Sequence, residues 1–376
     1  MKWTALAVVL IVLLLGILHR SAVASQARAF VVLGTVIEGP VLAWAVEWLS
    51  REPDVTEMLV AGAPTTVVRP DGSGPWPAVV FVNGATRKGR RHPDVQQLAR
   101  GLGRAGYLTV VPDLPGLRTG EISVATVAKT LAVARATAAR ADAEGGRVAL
   151  FGVSVGATLA LLAAEDPSLA RRVSVVAGIA PYTDIAEVIR LATTGFHRRG
   201  ERLFGYEAES FVSLVTARSL AAALPPGRDR KRLLGRLRAV DDEAPAPLGA
   251  LRGRWTPDLG ESGAAVVTLL RNRDPRRFDR LYARLPPAFR GRMRRLSPIV
   301  AAGRLRARVE IASAPHDKYF PLAESRALSR RAHDVRITVT STLEHAIPEP
   351  SPGALADLVR FDAFIVRALR GARDTG

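Results

Sequence analysis

Along most of the chain, short uninterrupted apolar runs take turns with segments whose apolar positions recur three and four apart. Buried strands and the helices that cover them produce this pattern. It starts near residue 54 with two β-like runs, 55–60 and 64–68, followed by a turn at Pro70-Asp71-Gly72-Ser73-Gly74-Pro75. The run 78–82 predicts a buried strand ending in Asn83-Gly84-Ala85. Helical spacing over 94–105, a strand at 108–112 and an Ala-rich helix over 124–143 follow. Residues 148–153 and 172–178 read as two further strands. Such alternation predicts an α/β fold with an open, mostly parallel sheet and helices on both faces.

Past Asp184 the strand signal fades. Helical patches continue to about Ala301, separated by Pro225-Pro226-Gly227, Ala244-Pro245-Ala246-Pro247 and Pro286-Pro287. Strand and helix then resume, with a strand at 308–312, a helix over 322–332, a strand at 335–340 and a closing amphipathic helix over 352–369. The implied organisation is a core of residues 54–184 and 302–376, interrupted by a helical cap at 185–301. No internal repeat is present.

The N-terminus reads differently. Residues 3–18 form an uncharged, mostly apolar run behind Lys2, somewhat short of a full bilayer span, and Ala22-Val23-Ala24 resembles a signal-peptidase site. Residues 1–28 are therefore expected to be a signal peptide or a membrane anchor, and the protein membrane-associated or exported. A second apolar stretch, within 29–53, carries Glu38 and Glu47, places Trp44 and Trp48 four apart and is broken at Gly39-Pro40. A charge at mid-bilayer is costly, so an interfacial or packing helix is expected there rather than a second span.

Composition narrows the chemistry. There are no cysteines among the 376 residues, which removes disulfides, thiolate nucleophiles and Cys-ligated metals. The net charge of +18 comes almost wholly from arginine, and between Asp184 and Ala301 there are 23 Lys/Arg against 12 Asp/Glu. No aromatic-basic platform accompanies the charge, so nucleic acid is not expected as a partner, whereas an anionic membrane surface facing the cap is. The clusters at 197–202, 228–232 and 290–295 read as solvated helix faces.

The candidate chemistry centres on Gly152-Val153-Ser154-Val155-Gly156, set between a strand and a helix-forming run. A serine at the apex of a strand–turn–helix is held out of the sheet with its hydroxyl exposed, and the glycines leave room for the turn. Serine needs a base to take its proton and an acid to orient that base. Asp317 and His345 follow the strands ending near 312 and 340, in the chain order Ser154, Asp317, His345. His333, His316, His197 and His92 compete for the role of base. Asp184 is the alternative acid, or else the N-cap of the helix behind it.

With Gly152-Val-Ser154-Val-Gly156 at the elbow, Ala314-Pro-His-Asp317-Lys-Tyr-Phe-Pro321 at an acid turn and Leu343-Glu-His345-Ala at a histidine loop, the chain resembles the α/β-hydrolase family from about residue 54 onward. It is most similar to the dienelactone-hydrolase-like branch, with serine where that branch commonly has cysteine. The resemblance implies a serine hydrolase needing no metal or organic cofactor. Its oxyanion hole would be the backbone N–H groups of Val155 and Ala85, with Asn83 standing where the family has histidine. Asp113, in Val111-Pro-Asp113-Leu-Pro-Gly116, is expected to be structural. The expected activity is cleavage of a small-molecule carboxylic ester through an acyl-enzyme on Ser154. Amide or thioester cleavage, acyl transfer, or a catalytically silent membrane-tethered binding protein are the alternatives.

Overall fold

The computed structural model describes residues 20–37, 40–252, 258–343 and 352–374. Two helices come first, α1 (Arg20–Val36) and α2 (Pro40–Leu49). An alternating series follows: β1 (Asp54–Val60), β2 (Ala63–Arg69), β3 (Ala78–Val82), α3 (Pro93–Arg104), β4 (Leu108–Pro112), α4 (Val124–Ala138), β5 (Val148–Val153), α5 (Val155–Ala164) and β6 (Val173–Ile179). The eight strands of the main sheet, β9 (Arg308–Ser313) and β10 (Val335–Val339) included, lie in the order β1-β2-β4-β3-β5-β6-β9-β10. Only β2 runs against the rest, pairing antiparallel with both β1 and β4. This is the α/β-hydrolase strand order. The fold read from the sequence is therefore the fold observed.

Register sets up the functional edge. Val82 pairs with Gly152, Gly152 with Gly178, and Ile179 with Ala312, so β3, β5, β6 and β9 end nearly level. Loops leaving those ends share one rim, where open parallel sheets place their ligands. Alternation along each strand divides the core in two. Val80, Val82, Leu150 and Val176 face α4, α5 and the insertion, while Val79, Phe81, Phe151 and Val175 face α1, α3 and the closing helix α13 (Pro352–Ala372).

Local chemistry explains the helix ends. His92 caps α3 through Nδ1 accepting the Asp94 N–H, and Pro93 opens the helix, where its missing N–H costs nothing. Ser123 and Thr126 form a capping box at α4. That helix stops at Ala138, short of the expected 143, because the chain turns back to Trp76: the Trp76 N–H donates to the Asp142 carbonyl and the Glu144 N–H to the Trp76 carbonyl. Arg140 and Arg69 hold the Asp142 carboxylate in that turn. Asp113 is clamped by buried Arg90, which also reaches Glu57 and Thr66, in keeping with a structural part.

Between β6 and β9 lie α6 (Ile185–Thr194), β7 (Phe196–Arg199), β8 (Arg202–Gly205), α7 (Ser210–Ala222), α8 (Arg228–Arg238), α9 (Glu261–Arg271), α10 (Phe278–Ala283) and α11 (Pro287–Arg294). The hairpin β7–β8 corrects the expectation of a helix face at 197–202. Gly200 adopts a positive φ of 62° at its turn, and the buried His197 ring sits against Phe204 and Tyr206. The two strands hold Phe196, Leu203 and Phe204 as their apolar residues, too few among the arginines to signal a hairpin. The last helix before β10, α12 (Leu322–Ser329), is also shorter than expected.

The N-terminal helices belong to this core. Ser25, Ala29, Val31 and Val32 of α1 are buried beside α3 and α13, so a continuous helix runs across residue 28, where the expected leader ended. The 29–53 stretch is packed on the fold through α1 and through Val46 of α2, whereas Val41, Trp44 and Trp48 of α2 face outward. Residues 1–19, including the apolar run 3–18, lie outside the described residues. Among the described residues no helix is long and apolar enough to cross a membrane.

The insertion is fastened to the core by buried polar groups. The Arg218 guanidinium, on α7, donates to the carbonyls of Leu237 and Val240, to Asp242 at 2.8 Å, and towards the Thr119 carbonyl in the loop after β4. Beside it, the Ser219 hydroxyl accepts the Ile122 N–H and donates to the Gly120 carbonyl. Removing one partner of such a buried network strands the others. Arg218→Met is expected to lower the unfolding free energy by about 3 kcal/mol, read as a shift in denaturant midpoint at unchanged slope.

Candidate active site

The site begins with a contact that only glycine permits. A Cβ on Gly156 would lie 2.0 Å from the Val82 carbonyl oxygen, and one on Gly152 would lie 2.4 Å from the Gly156 carbonyl carbon. The start of α5 is thereby pressed against the ends of β3 and β5, as expected from the motif. Ser154, between them, takes φ 54° and ψ −125°, a conformation that costs a non-glycine residue about 1–3 kcal/mol. The turn is held by the Ser154 N–H donating to the Ile179 carbonyl at 2.7 Å and by the Ser154 carbonyl accepting from Ala157 and Thr158.

Ser154 is half-buried and lines a cavity of about 500 Å³ whose walls are almost wholly apolar. Val155, Ala85, Asn83 and Gly84 border the same cavity. Val155 opens α5, where the first N–H groups have no partner within the helix. A Cβ on Gly84 would stand 3.6 Å from the Ser154 Cβ, so the 83–85 backbone runs directly beside the serine. Asn83 is buried, and its Nδ2 donates to the Gly84 carbonyl at 2.7 Å. That carbonyl and the Ala85 N–H belong to one planar trans peptide and point in opposite directions. By gripping the carbonyl, Asn83 fixes the direction of the Ala85 N–H.

Of the two acids, Asp317 is the more buried and follows β9. Its Oδ1 accepts the N–H groups of Tyr319 (2.8 Å) and Phe320 (2.9 Å), and its carbonyl accepts the Tyr206 hydroxyl. Tyr319 and Phe320 themselves line the cavity with Ser154, so the acid turn abuts it. Asp184 serves as the N-cap of α6, its Oδ1 accepting the Ala186 N–H at 2.9 Å. His345 lies outside the described residues. His333 sits in the turn entering β10, at the opposite end of the strand from the site, and His197 sits in the β7–β8 hairpin. His316 is exposed next to Asp317, and His92, the cap of α3, lines the cavity. Among the described residues no cluster of three or more His, Asp or Glu is placed to hold a metal ion.

One group at this rim had no signal in the sequence. Glu324, in the first turn of α12, is buried and accepts the N–H groups of Thr183 (2.8 Å) and Asp184 (2.9 Å), tying the β6 loop to α12. Burial raises its carboxyl to about 7, against the lowering effect of those hydrogen bonds. A glutamate early in a helix reads as a solvated, dipole-favoured residue, and only the tertiary fold encloses it.

The family model of the X-Pro dipeptidyl-peptidase (S15 family) matches residues 64–246, from β2 through the elbow into the insertion. No curated protein matches the sequence significantly. Among solved structures, the chain is similar to an acylaminoacyl peptidase in complex with Z-Gly-Gly-Phe-chloromethyl ketone, at 14% identity and TM-score 0.44, over 77% of this chain and 37% of that one. It thus spans well under half of that peptidase. It is also similar to the 2,6-dihydroxy-pseudo-oxynicotine hydrolase (14%, TM-score 0.43, over 88% of this chain and 71% of that one). A third similar structure is Est1E from Butyrivibrio proteoclasticus (13%, TM-score 0.45, over 84% and 99%).

Glu324 supplies a test of how this rim is built. A carboxyl whose folded pKa lies above its unfolded value binds its proton more tightly in the fold, so its contribution to stability falls as pH rises from about 4.5 to about 7 and is constant above. The loss amounts to about 3 kcal/mol. Melting temperatures measured from pH 5 to 7 should therefore decline more steeply for the wild type than for Glu324→Gln; two parallel profiles would show that the carboxyl does not titrate there. With the strand order, the glycine-flanked serine elbow and the family match over residues 64–246 taken together, the chain is an α/β-hydrolase-fold protein.

Proposed function

We propose that this protein is a hydrolase that cleaves carboxylic esters through an acyl-enzyme on Ser154. The observation that carries the reading is the strained serine held against the Gly84–Ala85 peptide and lining a mostly apolar cavity. In the first half-reaction His345 takes the Ser154 proton while Oγ bonds to the ester carbonyl carbon. The carbonyl oxygen becomes an oxyanion held by the N–H groups of Val155 and Ala85. His345 then gives its proton to the departing alkoxide, and the C–O bond breaks. Water, deprotonated by His345, attacks the acyl-enzyme and releases the carboxylic acid and the free serine. Asp317 orients the histidine. Asp184, which follows β6 and caps α6 through Oδ1, is the alternative acid.

Amide cleavage with the same residues is the second reading, favoured by the X-Pro dipeptidyl-peptidase match. An X-Pro peptide brings a cationic amino terminus that needs an anionic partner. Among the described residues lining the cavity, Asp94 alone carries a carboxylate, and it is exposed in the first turn of α3. Ester cleavage asks for no such partner.

A fluorophosphonate probe should label the protein, and Ser154→Ala should abolish both labelling and hydrolysis of p-nitrophenyl acetate. Loss of the base or its orienting acid, in His345→Ala or Asp317→Asn, should cut kcat about 10³–10⁴-fold, against less than about tenfold for His92→Ala or Asp184→Asn. Labelling that survives Ser154→Ala overturns the nucleophile. Faster turnover of an X-Pro anilide than of the acetate ester selects the peptidase reading.

Asn83 gives a separate prediction. Freed from Asn83, the Ala85 peptide donates less well to the oxyanion, so Asn83→Ala should lower kcat by about tenfold with KM nearly unchanged, a modest fraction of the loss seen when an oxyanion donor is deleted.

A further inference from the structure

The cavity at Ser154 extends in two chemically different directions. Beneath the insertion it is bordered by Tyr182, Thr216 and Ser219, side chains that carry hydroxyls. The other branch passes Val153 and Ile179, the last residues of β5 and β6, and runs between α1, α3 and α13. There its walls include Leu33, Leu98, Phe361 and Ile365, and the polar residues it meets on α3 are Asp94 in the first turn and the cap His92.

Val153, Ile179, Leu33, Leu98, Phe361 and Ile365 stand where helices cover the sheet, yet each is only half-buried. Protein interiors leave few voids larger than a water molecule, and an apolar void stays dry and takes apolar guests. The solvent-facing apolar surface of α2, with Val41, Trp44 and Trp48, belongs to the helix that follows α1 and suits contact with a lipid–water interface.

Resting on the ester hydrolysis proposed above, we infer that the substrates are long-chain fatty-acyl esters of a polar alcohol. The alkyl chain lies in the branch between α1, α3 and α13, and the alcohol lies under the insertion. The branch begins at Val153, adjacent to Ser154, so a chain bonded to Oγ enters it directly. An unbranched alkyl chain asks for no hydrogen-bonding partner, and beyond Asp94 and His92 at the start of α3 these helices line the cavity with apolar side chains. The bonds made and broken are those of the acyl transfer already described.

The test is a series of p-nitrophenyl esters from acetate to palmitate, run on the full-length protein. kcat/KM should climb by about threefold to fourfold per added methylene until the branch is full. Leu33→Trp and Ile365→Trp, which fill the branch, should each cut the palmitate-to-acetate ratio by more than about tenfold. Retained fluorophosphonate labelling reports an intact site in each variant, and should either fail to fold, the wild-type series decides alone. A flat or falling series, or ratios that neither variant moves, overturns the acyl branch while leaving ester hydrolysis standing. Failure to hydrolyse any ester in the series, with no labelling of Ser154, overturns the ester reading itself.

Discussion

The approach of α5 to the sheet at Gly152 and Gly156 is the contact on which the site depends. With a Cβ at either position the helix would be driven off the ends of β3 and β5. Without that approach Ser154 would have no cause to adopt its strained conformation, and the 83–85 backbone would not lie beside it. The strain is offset locally, by hydrogen bonds at both the N–H and the carbonyl of Ser154. One steric constraint therefore sets where Ser154 stands against the 83–85 backbone, before any functional group is considered.

Polar burial does for the insertion what glycine does for the elbow. An arginine-rich segment of this length would lie loosely on a sheet if its charges were all solvated. Instead Arg218 spends its donors on α8, on the segment behind it and on the loop after β4, and Arg190 reaches Glu187 and Asp279 while stacking on Phe278. A buried ion pair is weak evidence for net stability, yet its directional demands penalise other packings. The basic composition thus divides into a few buried guanidinium groups that fix geometry and a larger number that remain at the surface.

The strands of the sheet and the elbow were legible in the sequence because period-two and uninterrupted apolar runs report burial directly, and because Gly152 and Gly156 flag a steric requirement. The place of Asp317 in the loop behind β9 was legible too. The β7–β8 hairpin was hidden, since Arg198, Arg199 and Arg202 read as a charged helix face while Phe196, Leu203 and Phe204 are too few to counter it. Glu324 and Arg218 were hidden for another reason: a charged residue is expected in water, and only partners distant in sequence, such as Thr183 for Glu324 and Thr119 for Arg218, make burial tolerable. The grip of Asn83 on Gly84 was likewise obscured, because asparagine appeared there as a departure from the family's histidine.

The N-terminal helix shows how an accessory element alters a common core. A sheet edge with a serine elbow needs α3 and the closing helix to be covered, and those two already bury Phe81, Phe151 and Val175. Adding α1 brings Val32, Leu33 and Val36 against the same face without filling it, so the cavity continues past Ser154 rather than ending there. Gly101 of α3 allows this close docking, since a Cβ there would meet the Val32 carbonyl at 3.1 Å. A helix that served only to stabilise the core would be expected to close such a void, because each missing contact forfeits dispersion energy. The incomplete packing lies on a mostly apolar wall beside Ser154, where, under the acyl-ester reading proposed above, unfilled volume has a chemical use: it would receive the apolar part of the substrate.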